Sequence, residues 1–288
     1  MTVDILICTL NEDIASVPSC LMDEKDGVGY VVSFQYTDDK YLLMVPEELL
    51  TRKDVLLTSI EGHGLSANRN NAITHSRADI CVIADDDCRY TQERLSQMME
   101  AFGRYEEADV LMLQSLGPDG SLLREYPDCS FNLQCPPKGY YPISIDLAFR
   151  RERMKDVGFD LRFGLGSERM TGGEEGVWVE TAKRMGKTVL YVPQPLAQTT
   201  AYPKSGDQIF CEPKKLFSYG ALSYFVYGAS SILRCLKYAV LQAPKHQAPV
   251  VGSFINMLKG ILYMMRDGRR IDKNKVVKRD KRQKQWRI

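Results

Sequence analysis

The chain has 288 residues, of which 44% are hydrophobic and 26% charged, so one large α/β domain or a domain with an appendage fits its length. The formal net charge is only +1, yet residues 266–288 hold eleven Lys/Arg against three Asp/Glu, which leaves −7 for residues 1–265. Eight scattered cysteines without a CxxC pair, and only three histidines, argue against a zinc site.

The start of the chain has no features of a secretory signal. Met1 leads directly into the apolar run Val3–Cys8, without a basic segment or a small-residue cleavage site. We therefore expect a reducing, cytoplasmic environment. The longest uncharged run, Leu216–Leu233, contains serines and glycines and predicts surface-lying or buried helices rather than a membrane span.

Short apolar runs rich in β-branched residues alternate with helical patterns over the first two thirds of the chain. Such runs are typical of buried parallel strands. The last run should stop at Pro193 and Pro195. The predicted strands are Val3–Cys8, Tyr30–Tyr36, Val55–Ile60, Asp79–Ala84, Val110–Ser115, Ile143–Phe149 and Thr188–Val192.

Three helices are predicted between these strands. Ser66 is the expected N-cap of a helix over Ala67–Thr74. An amphipathic spacing predicts a second helix over Leu95–Tyr105. A pair of glycines opens the third, Glu174–Met185. This alternation predicts an α/β fold in which a mostly parallel sheet is flanked by helices on both faces.

The character of the sequence changes near residue 201. We divide the chain into an α/β domain over residues 1–200, a helical region over 201–265 and a basic tail over 266–288. The last helix should present one apolar face, and an apolar face joined to a polybasic run is typical of a membrane-surface appendage. Alternatively, this helix packs on the domain and the tail is solvated. The expected face consists of Phe254, Leu258, Ile261, Leu262 and Met265.

Three consecutive aspartates, Asp85, Asp86 and Asp87, directly follow a predicted strand. Ligands of open α/β sheets bind at the carboxyl ends of strands. Three adjacent carboxylates repel one another unless a cation or donors compensate, and Mn²⁺ or Mg²⁺ bridging to phosphates is the natural partner. A solvated acidic turn is the alternative, but the position after a buried strand favours the metal.

A glycine-rich segment over residues 62–72 leads into the first helix, an arrangement that suits a phosphate or nucleotide edge. Arg69 is a candidate contact to a base or phosphate, and Asn70 and Asn71 offer amide contacts. Alternatively, the segment is the start of a surface helix with an exposed arginine.

A second glycine-rich segment, residues 163–178, places Glu174 and Glu175 in the first turn of a helix. The positive helix end favours ionised carboxylates, which is the form that a general base needs. Alternatively, both glutamates only complement the helix dipole. Trp178 is a candidate acceptor contact or, more commonly for such a position, a core residue.

The order and spacing of these motifs resemble the family 2 glycosyltransferases of the GT-A (Rossmann-like) fold, in particular bacterial members that build surface polysaccharides. The resemblance spans Val3 to Gly228. It is carried by VDILICTLNE, GLSANRNNAI, ADDD, SIDLAFRRE, FDLRFGLGS, GGEE and YGALSYFVYG.

The resemblance implies an inverting transfer from a nucleoside-diphosphate sugar, a UDP-sugar in our interpretation, to a saccharide or lipid-linked acceptor. It implies Glu175 as the base, with Glu174 as the second choice. It also implies Asp87 as the ligand of Mn²⁺ or Mg²⁺, with Asp85 as a further ligand. The residues implied beside the nucleotide are Thr9, Asn11, Glu12, Arg69, Asp85 and Asp86.

Two features depart from the family pattern. Many relatives carry an Asp-rich element after the second strand, where this chain has Thr37-Asp38-Asp39 after Gln35. Many also place a metal-assisting histidine after the last core strand, where Gln198 stands in this chain. These departures leave open how the base of the nucleotide is recognised and which later residue binds the metal.

Two other classes of function compete with this interpretation. A sugar-phosphate nucleotidyltransferase would need a glycine-rich, basic loop after the first strand, which CTLNEDIASVP lacks. A non-catalytic, transferase-like binding protein at the membrane is the other alternative. We expect an enzyme of polysaccharide biosynthesis at the inner face of the cell membrane, with no nucleic-acid partner because no supporting motif accompanies the basic tail.

Overall fold

The computed structural model describes residues 1–202 and 212–267, and the predicted basic tail lies outside them except for its first two residues. Within these two ranges, nine strands form one sheet in the order β3-β2-β1-β4-β8-β6-β9-β5, with β7 paired to β9. The strands are β1 Val3–Leu10, β2 Val28–Tyr36, β3 Val55–Glu61, β4 Ile80–Asp85, β5 Cys88–Arg89, β6 Val110–Leu116, β7 Phe131–Asn132, β8 Leu147–Arg150 and β9 Val189–Thr199.

The sheet is mostly parallel, as the alternation of strands and helices predicted. Strands β3, β2, β1 and β4 pair in parallel, and so do β6 and β9. The short β8 is antiparallel to both β4 and β6, between which it lies. The carboxyl ends of β1, β4 and β6 therefore share one edge with the amino end of β8.

Helices of the α/β part and of the carboxyl-terminal part follow the predicted order. The α-helices are α1 Glu47–Thr51, α2 Leu65–His75, α3 Gln92–Arg104, α4 Arg151–Met154, α5 Glu174–Arg184, α6 Pro213–Tyr227, α7 Ser231–Gln242 and α8 Val250–Asp267. Both faces of the sheet are covered, because alternate residues of β1 enter different apolar clusters. Ile5 and Ile7 pack into one cluster, and Leu6 and Cys8 into the other.

Two predicted strand boundaries were wrong. The region predicted as Ile143–Phe149 begins with a 3-10 turn, Ser144–Asp146, before β8. The last strand does not stop at Pro193 but continues to Thr199. Its pairing with β6 is irregular on both sides of Gln114, which faces Pro195, and such irregularities are where a sheet tolerates residues without an N–H donor.

The predicted N-cap was also wrong. Helix α2 begins at Leu65, after Gly64, whose φ of 135° suits glycine. Ser66 is already inside the helix and donates its hydroxyl to the carbonyl oxygen of Phe163 at 2.7 Å. The start of α2 is thus tied to a distant loop instead of being capped locally.

Helices α6 and α8 pack with their backbones in contact. A Cβ atom on Gly220 would overlap the carbonyl oxygen of Met257, and one on Gly260 would overlap that of Phe217. This contact sets the rotation of α8, so its buried face differs from the prediction: Met257, Ile261 and their neighbours are buried, whereas Leu262 and Met265 are exposed. Within the described ranges, none of the helices is long and apolar enough to span a membrane.

The carboxyl-terminal helices also contact the α/β part. Leu222 of α6 packs against Gly173 and Gly176 at the start of α5. Met264 of α8 joins Phe163 in a shared apolar cluster. Helix α8 therefore packs on the body through its inner face, while its contact with a membrane surface stays a prediction.

We expect Gly220→Ala and Gly260→Ala each to destabilise the protein by about 1–3 kcal/mol, because an added methyl group forces two closely packed backbones apart. Urea unfolding measures this. The matched control is Gly103→Ala in α3, where a methyl group meets no atom within 4 Å. That control should leave stability unchanged or raise it by about 0.5–1 kcal/mol. Equal stability of all three variants would contradict the packing described.

Candidate active site

A buried arginine joins the two acidic motifs. Arg69 on α2 donates from Nη1 to Glu174 Oε1 at 2.8 Å and from Nη2 to Asp85 Oδ1 at 3.2 Å. Asp85 ends β4, and Glu174 is the first residue of α5. A buried guanidinium requires carboxylate partners, so this contact holds both motifs at one cleft.

Neighbouring side chains hold Arg69 in this position. Its guanidinium lies 5.4 Å from the ring centroid of Phe159. The amide of Asn70 fixes the backbone of Phe159, accepting from its N–H at 2.7 Å and donating to its carbonyl oxygen at 2.8 Å. Arg69 is thus placed between carboxylates and not on an exposed helix start.

The amides after Arg69 are engaged within the protein. Asn71 is buried and donates to Ser33 Oγ at 2.8 Å. Asn68 donates to the carbonyl oxygen of Thr9 at 3.0 Å and accepts from Ser33 Oγ at 2.5 Å. The ligand contacts that we expected from Asn70 and Asn71 are wrong, because these amides fasten α2 to the sheet and to Phe159.

A glycine-rich loop covers the carboxylate of Glu174. A Cβ atom on Gly164, whose φ is 102°, would lie 3.3 Å from Glu174 Cδ. The N–H of Leu65 donates to the carbonyl oxygen of Leu165 at 2.9 Å, which holds the loop against α2. Glycine is required here both for the backbone conformation and for the close approach.

Glu175 lies beside this pair and is only partly exposed. Burial, and then the charge of Glu174, raise the pKa of Glu175, while Arg69 acts in the opposite direction. Desolvation and the neighbouring carboxylate thus oppose the stabilisation of the ionised form that the helix end provides. A carboxyl with a raised pKa near neutrality is well matched to general base catalysis.

The acidic turn after β4 is fixed by its backbone. The carbonyl oxygen of Asp86 accepts from Cys20 Sγ, and that of Asp87 accepts from the N–H of Thr200. Burial raises the pKa of Asp86 to about 6, and the charges of nearby aspartates act in the same direction. Burial and the charge of Asp85 also raise the pKa of Asp87. The turn therefore holds more negative charge than its surroundings compensate.

The remaining predicted nucleotide contacts follow β1. Thr9 is buried, and Glu12 is exposed. Asn11 has a φ of 53° and accepts from the N–H of Thr37 at 2.9 Å and from its hydroxyl at 3.1 Å. Asn11 thereby ties the carboxyl end of β1 to that of β2, at the edge where the acidic turn lies.

The sequence interpretation missed a second buried cluster at the same edge. Asp146 is fully buried and accepts from Ser115 Oγ at 2.6 Å, from Tyr126 OH at 3.0 Å and from Arg124 Nη2 at 3.1 Å. Burial raises the pKa of Asp146 to about 6. Its turn contacts β4. The available signal was an acid within the mostly apolar run Ile143–Phe149.

Trp178, the candidate acceptor contact, is a core residue instead. Its ring is buried against Phe149 and Phe159, and Nε1 donates to the carbonyl oxygen of Val157 at 3.2 Å. Gln198 likewise faces the protein and donates to the carbonyl oxygen of Gly117 at 3.3 Å.

The curled sheet with acidic groups at its carboxyl edge defines a GT-A-like protein. S. aureus TarS 1-349 shares the fold at 15% sequence identity and a TM-score of 0.58, over 92% of this chain and 92% of that one. The structure of TarS 1-349 in complex with UDP-GlcNAc matches at 15% sequence identity and a TM-score of 0.50, over 89% of this chain and 81% of that one. Against the longer TarS structure the values are 15% and 0.54, and the chain spans only 49% of that length.

The family model agrees with the resemblance seen in the sequence. Residues 52–158 match the model described as Glycosyl transferase family 2, so the predicted resemblance is confirmed over that segment. The matched segment includes Arg69 and Asp85 but ends before Glu174. The comparison with curated proteins gave no match.

We expect Glu175→Gln to stabilise the protein increasingly as pH rises. A carboxyl whose folded-state pKa is raised costs the wild type stability as pH climbs from its unfolded-state pKa through the folded one. Glutamine carries no such cost, so the melting temperature of the variant should rise relative to that of the wild type between about pH 5 and 9. Glu100→Gln, on the exposed surface of α3, is the control and should follow the wild type. A gap that stays constant with pH would contradict the raised pKa.

Proposed function

We propose that this protein is an inverting glycosyltransferase that moves a sugar from a UDP-sugar to a hydroxyl of a saccharide or lipid-linked acceptor in polysaccharide biosynthesis. The single observation that supports it best is the double contact of Arg69 with Asp85 and Glu174, which places a carboxylate pair beside the acidic turn. The fold is also that of TarS 1-349, which has been solved with UDP and with UDP-GlcNAc.

In this proposal Glu175 is the general base. It takes the proton of the acceptor hydroxyl, whose oxygen attacks the anomeric carbon while the bond to the diphosphate breaks and UDP leaves with the electron pair. One carboxylate without a protein nucleophile gives inversion at the anomeric carbon. Glu174 is bound to Arg69, and that contact makes it a positioning residue rather than the base.

The donor would lie along the carboxyl edge of the sheet. Thr9, Asn11 and Glu12 would border the nucleotide. Asp85 would face the ribose, and Asp86 would lie beside the metal ligand Asp87. Arg69 is buried, so it contributes by holding Asp85 and not by reaching the phosphates.

A divalent cation, Mn²⁺ or Mg²⁺, is part of the proposal. Among the described residues, no three His, Cys, Asp or Glu side chains converge as a ligand set. A cation that keeps water and substrate-phosphate ligands needs only one or two carboxylates, so the donor set suffices. Asp87 would hold it, assisted by Asp85, and the bound cation would neutralise charge on the leaving diphosphate.

The acceptor would approach from the side of Glu175. We place the buried cluster around the Asp146–Arg124 ion pair at the border of this side, because the turn that carries Asp146 contacts the strand that carries Asp85. A lipid-linked acceptor implies that the enzyme works at the inner, cytoplasmic face of the cell membrane.

We expect Glu175→Gln to lower kcat by about 10²–10⁴-fold with little change in UDP affinity, because the substitution removes the base but keeps the shape of the side chain. Turnover of UDP-sugars with a saccharide acceptor and calorimetric binding of UDP measure the two effects. Glu100→Gln is again the control. Near-normal turnover of Glu175→Gln would sink the assignment of the base. Loss of turnover would also argue against a non-catalytic binding protein.

The cation is tested by thermal shift. Mn²⁺ should raise the stabilisation that UDP gives the wild type, because the ion links diphosphate and carboxylate. Asp87→Asn should lose the Mn²⁺-dependent increment, whereas Asp26→Asn on an exposed turn should keep it. An increment that survives in Asp87→Asn, or that is absent from the wild type, rules out this site.

A further inference from the structure

The fully buried residues of helix α7 form a narrow line of small side chains, and Tyr238 beside them is partly buried and stacks on Tyr219. Ser231, Cys235 and Ala239 face the other helices at a spacing of four. The rest of the helix carries large apolar side chains that remain exposed. These are Ile232, Leu233, Leu236, Val240 and Leu241.

Helix α8 has a second exposed apolar stripe. Its inner face is occupied by the backbone contact at Gly260 and by buried Met257 and Met264. Along its outer face, exposed apolar residues recur at helical spacing over the whole length. They are Val251, Ile255, Leu262 and Met265. We call these two sets of residues the outer faces of α7 and α8.

Charge is distributed unevenly between this helical part and the remainder of the chain. Residues 213–266 contain seven Lys/Arg and no Asp or Glu. Residues 267–288 add ten Lys/Arg and three Asp/Glu, so residues 213–288 carry a net +14, whereas residues 1–212 carry −13. The segregation is much larger than the overall charge of +1 indicates, and it begins before the basic tail.

We infer that the outer faces of α7 and α8 dock on an anionic bilayer surface. Transfer of exposed apolar side chains from water to the acyl boundary is favourable, and neighbouring Lys/Arg are attracted to anionic headgroups. A nucleic acid would use the positive charge but not the large apolar side chains, so the combination favours lipid. The absence of acids from residues 213–266 removes repulsion at the contact.

The position of this surface deepens the proposed function. The docking itself is independent of that function, and only the identity of the acceptor rests on it. Helix α6 packs against α8 on one side, and its Leu222 packs against the first turn of α5 on the other. A docked α8 would therefore lie one helix layer from Glu174 and Glu175. A lipid-linked acceptor could then reach the base without leaving the membrane surface.

Cosedimentation of the full chain with vesicles tests the inference. We expect the wild type to pellet with phosphatidylcholine vesicles that contain 30% phosphatidylglycerol, and at least tenfold less with phosphatidylcholine alone or in high salt, which screens the charges. The double variant Leu233→Glu, Val251→Glu should lose tenfold or more of the partition coefficient. These side chains are 72% and 71% exposed, so the fold should tolerate the change.

The matched control is Leu43→Glu, which changes an 89% exposed apolar residue outside these helices and should bind like the wild type. UDP binding by the double variant should equal that of the wild type, so failure of docking and failure of the proposed reaction are separable. The inference is overturned if the wild type does not pellet with anionic vesicles, if the double variant binds as well as the wild type, or if only a nucleic acid is bound.

Discussion

The arrangement of the site depends on how one buried guanidinium is satisfied. Arg69 is removed from water, and its desolvation cost has to be offset by carboxylates at both ends of its fork. Because one partner ends β4 and the other begins α5, the ion pair is also a constraint on tertiary structure. Asp85 and Glu174 can approach Arg69 only if the sheet edge and the amino end of α5 face one cleft.

The single positive charge of Arg69 does not balance the acidic side chains around it. Asp85, Asp86 and Asp87 lie on one side and the two glutamates on the other, and the raised pKa values of Asp86, Asp87 and Glu175 express the remaining repulsion and desolvation. Such an excess of negative charge destabilises an empty site and favours protons or cations that enter it. The same property suits Glu175 to accept a proton, because a carboxyl with a raised pKa is a stronger base than a solvated one.

The carboxyl-terminal helices contribute to the site although they carry none of its charged groups. Gly173 and Gly176 allow Leu222 to pack against the first turn of α5, and Gly220 and Gly260 allow α8 to pack against α6. Small residues thus connect the glutamates to the outer surface through close contacts. A change at these glycines would reach the site by displacing α5, without altering any charged residue.

Much of the fold was determined by the sequence alone. Short apolar runs fixed most strands to within two residues, because β-branched residues and alternating burial are local properties, and they also placed the acidic turn at a strand end. Local pattern failed where a long-range contact overrode it. Ser66 donates a hydrogen bond to Phe163 instead of capping α2. The close contact of α8 with α6 at Gly260 buries a different face of α8 from the one that the apolar periodicity predicted. Only the tertiary structure decided that Arg69 bridges the two acidic motifs, because its partners lie 16 and 105 residues along the chain and no local property records their pairing.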